Sequence, residues 1–212
     1  MSIILNAQNI SYYYDKQCVL QNLSFTVNKG DFIIITGPNG GGKSTLAKLI
    51  NNQIQPTSGK IIVHGKIGYA PQKLYPPISL PIKVIDFLNI NNKSNPFYQE
   101  IYDAFEIDKF ASCQLSELSG GQLQKVNICT SIRKNYDLIL LDEPDQNLDF
   151  ESQKVLYKLI TPIAKHHTCM IISHDVHSVY TMPNAMVFCI NKILHCQGIS
   201  EFVHSQHCAS GH

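Results

Sequence analysis

A chain of 212 residues with 44% hydrophobic content is sized for one domain with a substantial core, or one domain carrying an inserted subdomain. Its 17 basic and 16 acidic residues leave no excess charge to hold a polyphosphate backbone, which excludes nucleic acid as the expected partner. No apolar run approaches the roughly 20 residues needed to span a bilayer, and MSIILNAQNISYYY lacks the regions of a secretion signal, so the chain is expected in the cytoplasm. The cysteines at 18, 113, 129, 169, 189, 196 and 208 form no CxxC pair, and free thiols are expected in that reducing compartment.

In chain order, Ile3 to Tyr14 and Cys18 to Val27 are rich in β-branched and aromatic residues and flank the polar turn Asp15 to Gln17, which predicts an antiparallel hairpin. Asn28 to Gly30 turn the chain into DFIIIT, a short β-branched run of the kind a buried parallel strand uses. GPNGGGKST follows at Gly37 to Thr45 and meets the phosphate-loop pattern GxxxxGK[ST]. The loop runs through Gly37, Pro38, Asn39, Gly40, Gly41, Gly42, Lys43, Ser44 and Thr45, and its glycines let successive backbone N–H groups turn towards the phosphates of ATP. A helix from Ser44 adds its positive end, Lys43 is placed to reach the outer phosphates, and the Ser44 hydroxyl is a ligand type for Mg²⁺. PTSG at 56 to 59 is expected to end that helix, and Lys60 to Ala70 carries two short strands around His64 and Gly65.

From Leu74 to Phe110 helical pieces are broken by prolines at 76, 77, 81 and 96, which predicts an inserted helical subdomain. Gly120 to Arg133 is expected to be helical, Leu138 to Leu141 a buried strand, Glu151 to Lys165 a helix and Thr168 to Ile172 a strand. Ala185 to Ile190 and Lys192 to Cys196 read as a terminal hairpin. Alternating strands and helices imply an α/β fold, a mostly parallel sheet with helices on its faces. LILLDEP places Asp142 and Glu143 at the C-terminal end of a strand, where ligands of such sheets bind. Asp142 suits a Mg²⁺ ion held through its water shell, and Glu143 suits a water attacking a γ-phosphate. LSGGQ, with Ser119, Gly120, Gly121 and Gln122 at a helix start, makes a second phosphate-binding N-terminus, one more than a single γ-phosphate needs in one chain.

The phosphate loop, LSGGQ and LILLDEP, in this order and separation, resemble the nucleotide-binding subunit of an ATP-binding cassette (ABC) transporter over essentially the whole chain. The resemblance implies a P-loop ATPase with an antiparallel β part, a core over about 1–73 and 134–212, and a helical subdomain over about 74–133. It implies that Tyr14 stacks on adenine, with Tyr12 and Tyr13 competing for the role, that Gln72 senses Mg²⁺ and links to the membrane partner, and that Asn147 to Asp149 cross a dimer interface. His174, in ISHD, matches the histidine that contacts the γ-phosphate and orients Glu143. The implied assembly is two copies meeting head to tail, so that the phosphate loop of one and Ser119 of the other clamp the same ATP. The pair would sit at the cytoplasmic face of the membrane under transmembrane permease subunits, with a periplasmic metal-binding protein as an indirect partner.

IGYAPQKLYPPISLPIKVIDFL and VFCINKILHCQG are similar to the ATPase subunit of bacterial high-affinity zinc importers; manganese or iron importers, and ABC ATPases that work without a permease, are the alternatives. The apolar residues of the first run offer a groove for a helix of a membrane subunit, or simply core. His195, Cys196, His204, His207, Cys208 and His212 are Zn²⁺ ligand types, but their spacing fits no compact zinc module, and a solvated tail is the alternative. Four departures from the family pattern stand out. Lys125 replaces an arginine, Cys129 to Ile132 stand where a small-residue ARAL run is usual, Asp145 follows DEP where a threonine is usual, and Gln146 and Asn147 replace small residues. The extra carboxylate is expected to retune the rate rather than remove activity. The length of the chain is expected to leave no room for a folded C-terminal regulatory domain.

Overall fold

The computed structural model describes residues 2–74, 81–89, 96–173 and 185–198, with side chains given as far as residue 194 in the last of these segments. Two sheets organise it. β1 (Ile3–Tyr14), β2 (Gln17–Asn28) and β4 (Ser58–Val63) form an antiparallel sheet in the order β2-β1-β4. The second sheet contains β3 (Phe32–Thr36), β5 (Ile67–Ala70), β6 (Leu138–Asp142), β7 (Thr168–Ile172), β8 (Met186–Asn191) and β9 (Ile193–Gly198). Its order is β5-β6-β7-β3-β8-β9, parallel through β8 and antiparallel only at β9.

The central parallel strands β3, β6 and β7 are apolar but for Thr36, Asp142 and Thr168, because both of their faces are covered. Every residue of β3, β6 and β7 is buried, and alternate residues feed two separate cores. Phe32, Ile34, Ile139, Leu141, Cys169 and Ile171 pack with residues of α2 (Val84–Asn89), α3 (Phe97–Ala104), α4 (Gly120–Ile132) and α5 (Phe150–His166). Ile33, Ile35, Leu138, Leu140, Met170 and Ile172 point the other way, onto α1 (Lys43–Ile50) and the antiparallel sheet. α1, which follows the phosphate loop, and α4, which begins in LSGGQ, therefore lie on opposite faces of the sheet.

The expected hairpin, the buried strands and the terminal hairpin are present. Two expectations change. α1 ends at Ile50, well before PTSG, whose Ser58 and Gly59 instead open β4. The two strands expected around His64 and Gly65 are present and part ways, β4 joining the antiparallel sheet while β5 becomes the edge of the parallel one. Of the apolar run offered as a docking groove, Val84 and Leu88 are fully buried in the core and Ile82 and Phe87 are half-buried against it; 75–80 lie outside the described residues. Among the described residues no helix is long and apolar enough to cross a membrane.

Candidate active site

β3 delivers the chain into the phosphate loop, and the loop is shaped by what presses on it. Gly37 has φ 141°, and a Cβ there would collide with the Ile190 carbonyl at the end of β8. Gly42, at φ 97°, precedes α1, and a Cβ there would strike the Leu20 side chain of β2. The terminal hairpin also holds the loop directly, since the Lys192 N–H donates to the Gly41 carbonyl at 3.1 Å. Sequence pattern explains the glycines but not these braces, two of which, at Ile190 and Lys192, come from the far end of the chain.

The Lys43 side chain is almost fully buried and folds back over the loop, its Nζ donating to the carbonyls of Gly37 at 2.8 Å and Pro38 at 2.9 Å. Burial lowers its pKa, and the carboxylates of Glu143 and Asp142 pull it back up. The Ser44 hydroxyl donates to Asp142 Oδ1 at 3.3 Å, across from the end of β6.

The two acids part company as the chain leaves β6. Asp142 is 1% exposed and faces Ser44, whereas Glu143 turns away in a left-handed conformation, φ 49°, unusual for a residue with a Cβ. Its N–H donates to the Ile172 carbonyl at 2.9 Å, and Gln72 Nε2 donates to Glu143 Oε2 at 2.6 Å. Asn39 to Thr45 of the loop, with Val19, Gln72 and Glu143, line a cavity of about 330 Å³. Tyr14 is 68% exposed at the end of β1 and is not among the lining residues, while Tyr12 packs against the core.

Desolvation pushes the Asp142 carboxyl up to about 6, with Glu143 adding to the rise and the Ser44 hydroxyl and Lys43 opposing it. A carboxyl raised in the folded chain binds its proton more tightly there than when unfolded. The folded state is therefore favoured as pH falls from above 6 towards 4, and that contribution is lost again as pH rises. Asp142→Asn keeps the shape and removes the charge. Without nucleotide or Mg²⁺ it is expected to stabilise the chain at pH 8 by roughly 2 kcal/mol, an advantage that shrinks as pH falls below 6 and is gone only below about pH 4. Thermal midpoints of both proteins across that range measure this; equal midpoints at pH 8 would show that the buried charge carries no penalty.

Ser119 and Gln122 form a reciprocal cap on α4: Ser119 Oγ accepts from the Gln122 N–H at 3.3 Å, and Gln122 Oε1 accepts from the Ser119 N–H at 3.0 Å. Ser119 and Gly120 are exposed, and none of residues 119 to 122 lines the cavity of their own chain. A Cβ on Gly121 would come within 2.8 Å of the Asn147 carbonyl, so the 145–149 loop packs directly on this helix start. Asp149 caps α5, accepting from the Ser152 N–H at 2.8 Å, a bond that holds its carboxyl below the usual range. Asp145, the unusual carboxylate, accepts at Oδ2 from Tyr157 Oη at 3.0 Å and Ser173 Oγ at 3.4 Å, tying the loop to α5 and to the end of β7.

Two buried amides that sequence pattern did not single out complete the surroundings. Gln124 Nε2 donates to the Glu143 carbonyl at 3.3 Å, and Asn127 Nδ2 donates to the Pro71 carbonyl at 2.7 Å. Their signal in the sequence is a pair of carboxamides three apart in a helix otherwise rich in Val126, Ile128 and Cys129. His174 lies outside the described residues, as do His204, His207, Cys208 and His212; the side chains of His195 and Cys196 are likewise outside them. Among the described residues no group of three or more His, Cys, Asp or Glu is placed to hold a metal ion.

Comparison with known proteins points in one direction. Residues 20–146 match the ABC transporter family model. The zinc import ATP-binding protein ZnuC of Wigglesworthia glossinidia brevipalpis is 40% identical over 207 residues, covering 93% of this chain and 87% of that protein. ZnuC of Rickettsia conorii is also 40% identical, covering 92% and 86%. Among solved structures, an inward-facing metal-chelate type ABC transporter superposes with a TM-score of 0.79 at 27% identity, covering 99% of this chain and 88% of that one.

Proposed function

The chain belongs to the ABC transporter family, and from that premise we propose that it is the ATP-hydrolysing subunit of a zinc importer, acting as a pair of copies at the cytoplasmic face of the membrane beneath a separate permease. The observation that carries the ATPase half is the placement of Lys43, Ser44, Asp142, Gln72 and Glu143 around one loop. The cargo rests on the relatives named as zinc import proteins, which share 33 to 40% of their residues with this chain over more than nine-tenths of its length.

We assign one cassette over residues 1–212, with its helical part over about 74–133. Gly37 to Thr45 cradle the phosphates of ATP, and Lys43 exchanges its loop carbonyls for phosphate oxygens. The exposed Tyr14 ring is free to stack on adenine. The oxygen donors Ser44 and Asp142, with Gln72 beside them, are hard ligands of the type Mg²⁺ takes, and a buried carboxylate whose charge is disfavoured by burial suits a cation. When bound, Mg²⁺ would neutralise charge on the β- and γ-phosphate oxygens.

Glu143 accepts a proton from the attacking water as the water oxygen bonds to the γ-phosphorus and the bond to the bridging oxygen of ADP breaks. Gln72 holds the Glu143 carboxylate in place, and His174 is assigned the neighbouring contact to the γ-phosphate. Ser119 to Gln122 serve the ATP of the opposite copy, which the exposure of Ser119 and Gly120 and the separation of all four from their own cavity favour. Opening and closing of that pair would drive the permease, with a periplasmic metal-binding protein delivering the ion.

Growth in chelator-treated medium tests the whole assignment. Cells lacking the chain are expected to fail there and to recover with added zinc. Recovery with manganese or iron alone would overturn the cargo, and growth equal to the parent strain would overturn the transport role.

A further inference from the structure

We propose that Gln124 and Asn127 act as a positioning pair that sets Gln72 against Glu143, linking the helix that begins at the exposed Ser119 to the carboxylate that activates water. The inference rests on the role proposed above for Glu143. Four hydrogen bonds close a ring. Asn127 Nδ2 donates to the Pro71 carbonyl at 2.7 Å and to Gln124 Oε1 at 3.4 Å; Gln124 Nε2 donates to the Glu143 carbonyl at 3.3 Å; Gln72 Nε2 donates to Glu143 Oε2 at 2.6 Å. Pro71 precedes Gln72 in the chain, so the circuit is complete.

The ring sits where two parallel strands end. Ala70, the last residue of β5, pairs with Leu141 of β6, and one residue further on each side are Pro71 and Asp142. α4 packs over these ends through the buried Val126, Ile128 and Cys129. That packing alone would hold the helix to the sheet. Gln124 and Asn127 are 3% and 1% exposed, and a buried carboxamide is tolerated only when its donors and acceptors are met. Stability at position 127 asks only for an apolar side chain of similar size. A carboxamide there instead fixes the distance between the chain at Pro71 and the chain at Glu143, because a small shift breaks a buried hydrogen bond that water cannot replace. Any displacement of α4, whose N-terminus carries Ser119, is thereby felt at both Gln72 and Glu143.

A double-mutant cycle on the full chain tests this through steady-state hydrolysis of Mg·ATP by Asn127→Leu, Gln72→Ala and the double variant. Asn127→Leu is expected to lower kcat about tenfold with KM for ATP changed less than about twofold, and to cost less than about twofold once Gln72 is already alanine. Asn127→Ala, which avoids any overpacking, is expected to show the same coupling. Equal losses in both backgrounds would make Asn127 merely structural and would overturn the proposal. Glu143→Gln separates the two levels: full turnover by that variant would remove Glu143 from the role assigned to it, whereas an inactive Glu143→Gln beside an additive cycle would overturn the positioning pair alone.

Discussion

Glu143→Gln is expected to bind Mg·ATP as the parent chain does and to lose 10²- to 10⁴-fold in turnover, the range a positioned general base contributes. The carboxamide has nearly the same shape, and its N–H and C=O groups can still meet Gln72, which now donates to Glu143 Oε2 at 2.6 Å. What disappears is the proton acceptor. In the proposed cycle hydrolysis separates the two copies, so the variant is expected to accumulate as an ATP-bound dimer. Sedimentation with and without ATP, beside phosphate release, measures both consequences. A variant that stays monomeric with ATP and turns over at the parental rate would contradict the assignment.

Lys43→Ala is expected to act one step earlier, on binding itself. Nζ is buried and satisfied by two loop carbonyls, so its charge is held within the loop before nucleotide arrives. Hydrogen bonds to a charged group contribute about 1.5–3 kcal/mol, so removing this one is expected to weaken ATP binding by roughly ten- to a hundredfold and to abolish measurable hydrolysis. The fold should tolerate the change, because the loop keeps its contacts with Ile190 and Lys192 of the terminal hairpin. Calorimetric titration with ATP measures the first effect; parental affinity would remove Lys43 from the phosphate site.

Much of this site was legible because its chemistry is local. Gly37 to Thr45 sit in consecutive positions, and the uninterrupted apolar runs of β3 and β6 mark strands buried on both faces, so the loop and the two acids could be placed at strand ends without coordinates. What escaped was everything held by distant partners. No pattern announces that Glu143 turns at φ 49°, which separates it from Asp142 and aims it at Gln72. Asp145 looked like an added charge near an interface, yet Tyr157, twelve residues on, and Ser173, twenty-eight residues on, bind it from α5 and β7. Likewise β4 and β5 are neighbours in sequence but belong to different sheets, since pairing is decided by which strand each finds, β1 in one case and β6 in the other. Val84 and Leu88 read equally well as a groove or as core, because an apolar residue carries no mark of what covers it.

The most direct test of a zinc-importing motor is the metal content of cells whose only change is Lys43→Ala in this chain, with zinc, manganese and iron measured in the same samples. A fall in zinc alone, restored by added zinc, is the predicted result. Unchanged zinc, with or without a fall in another metal, would contradict it.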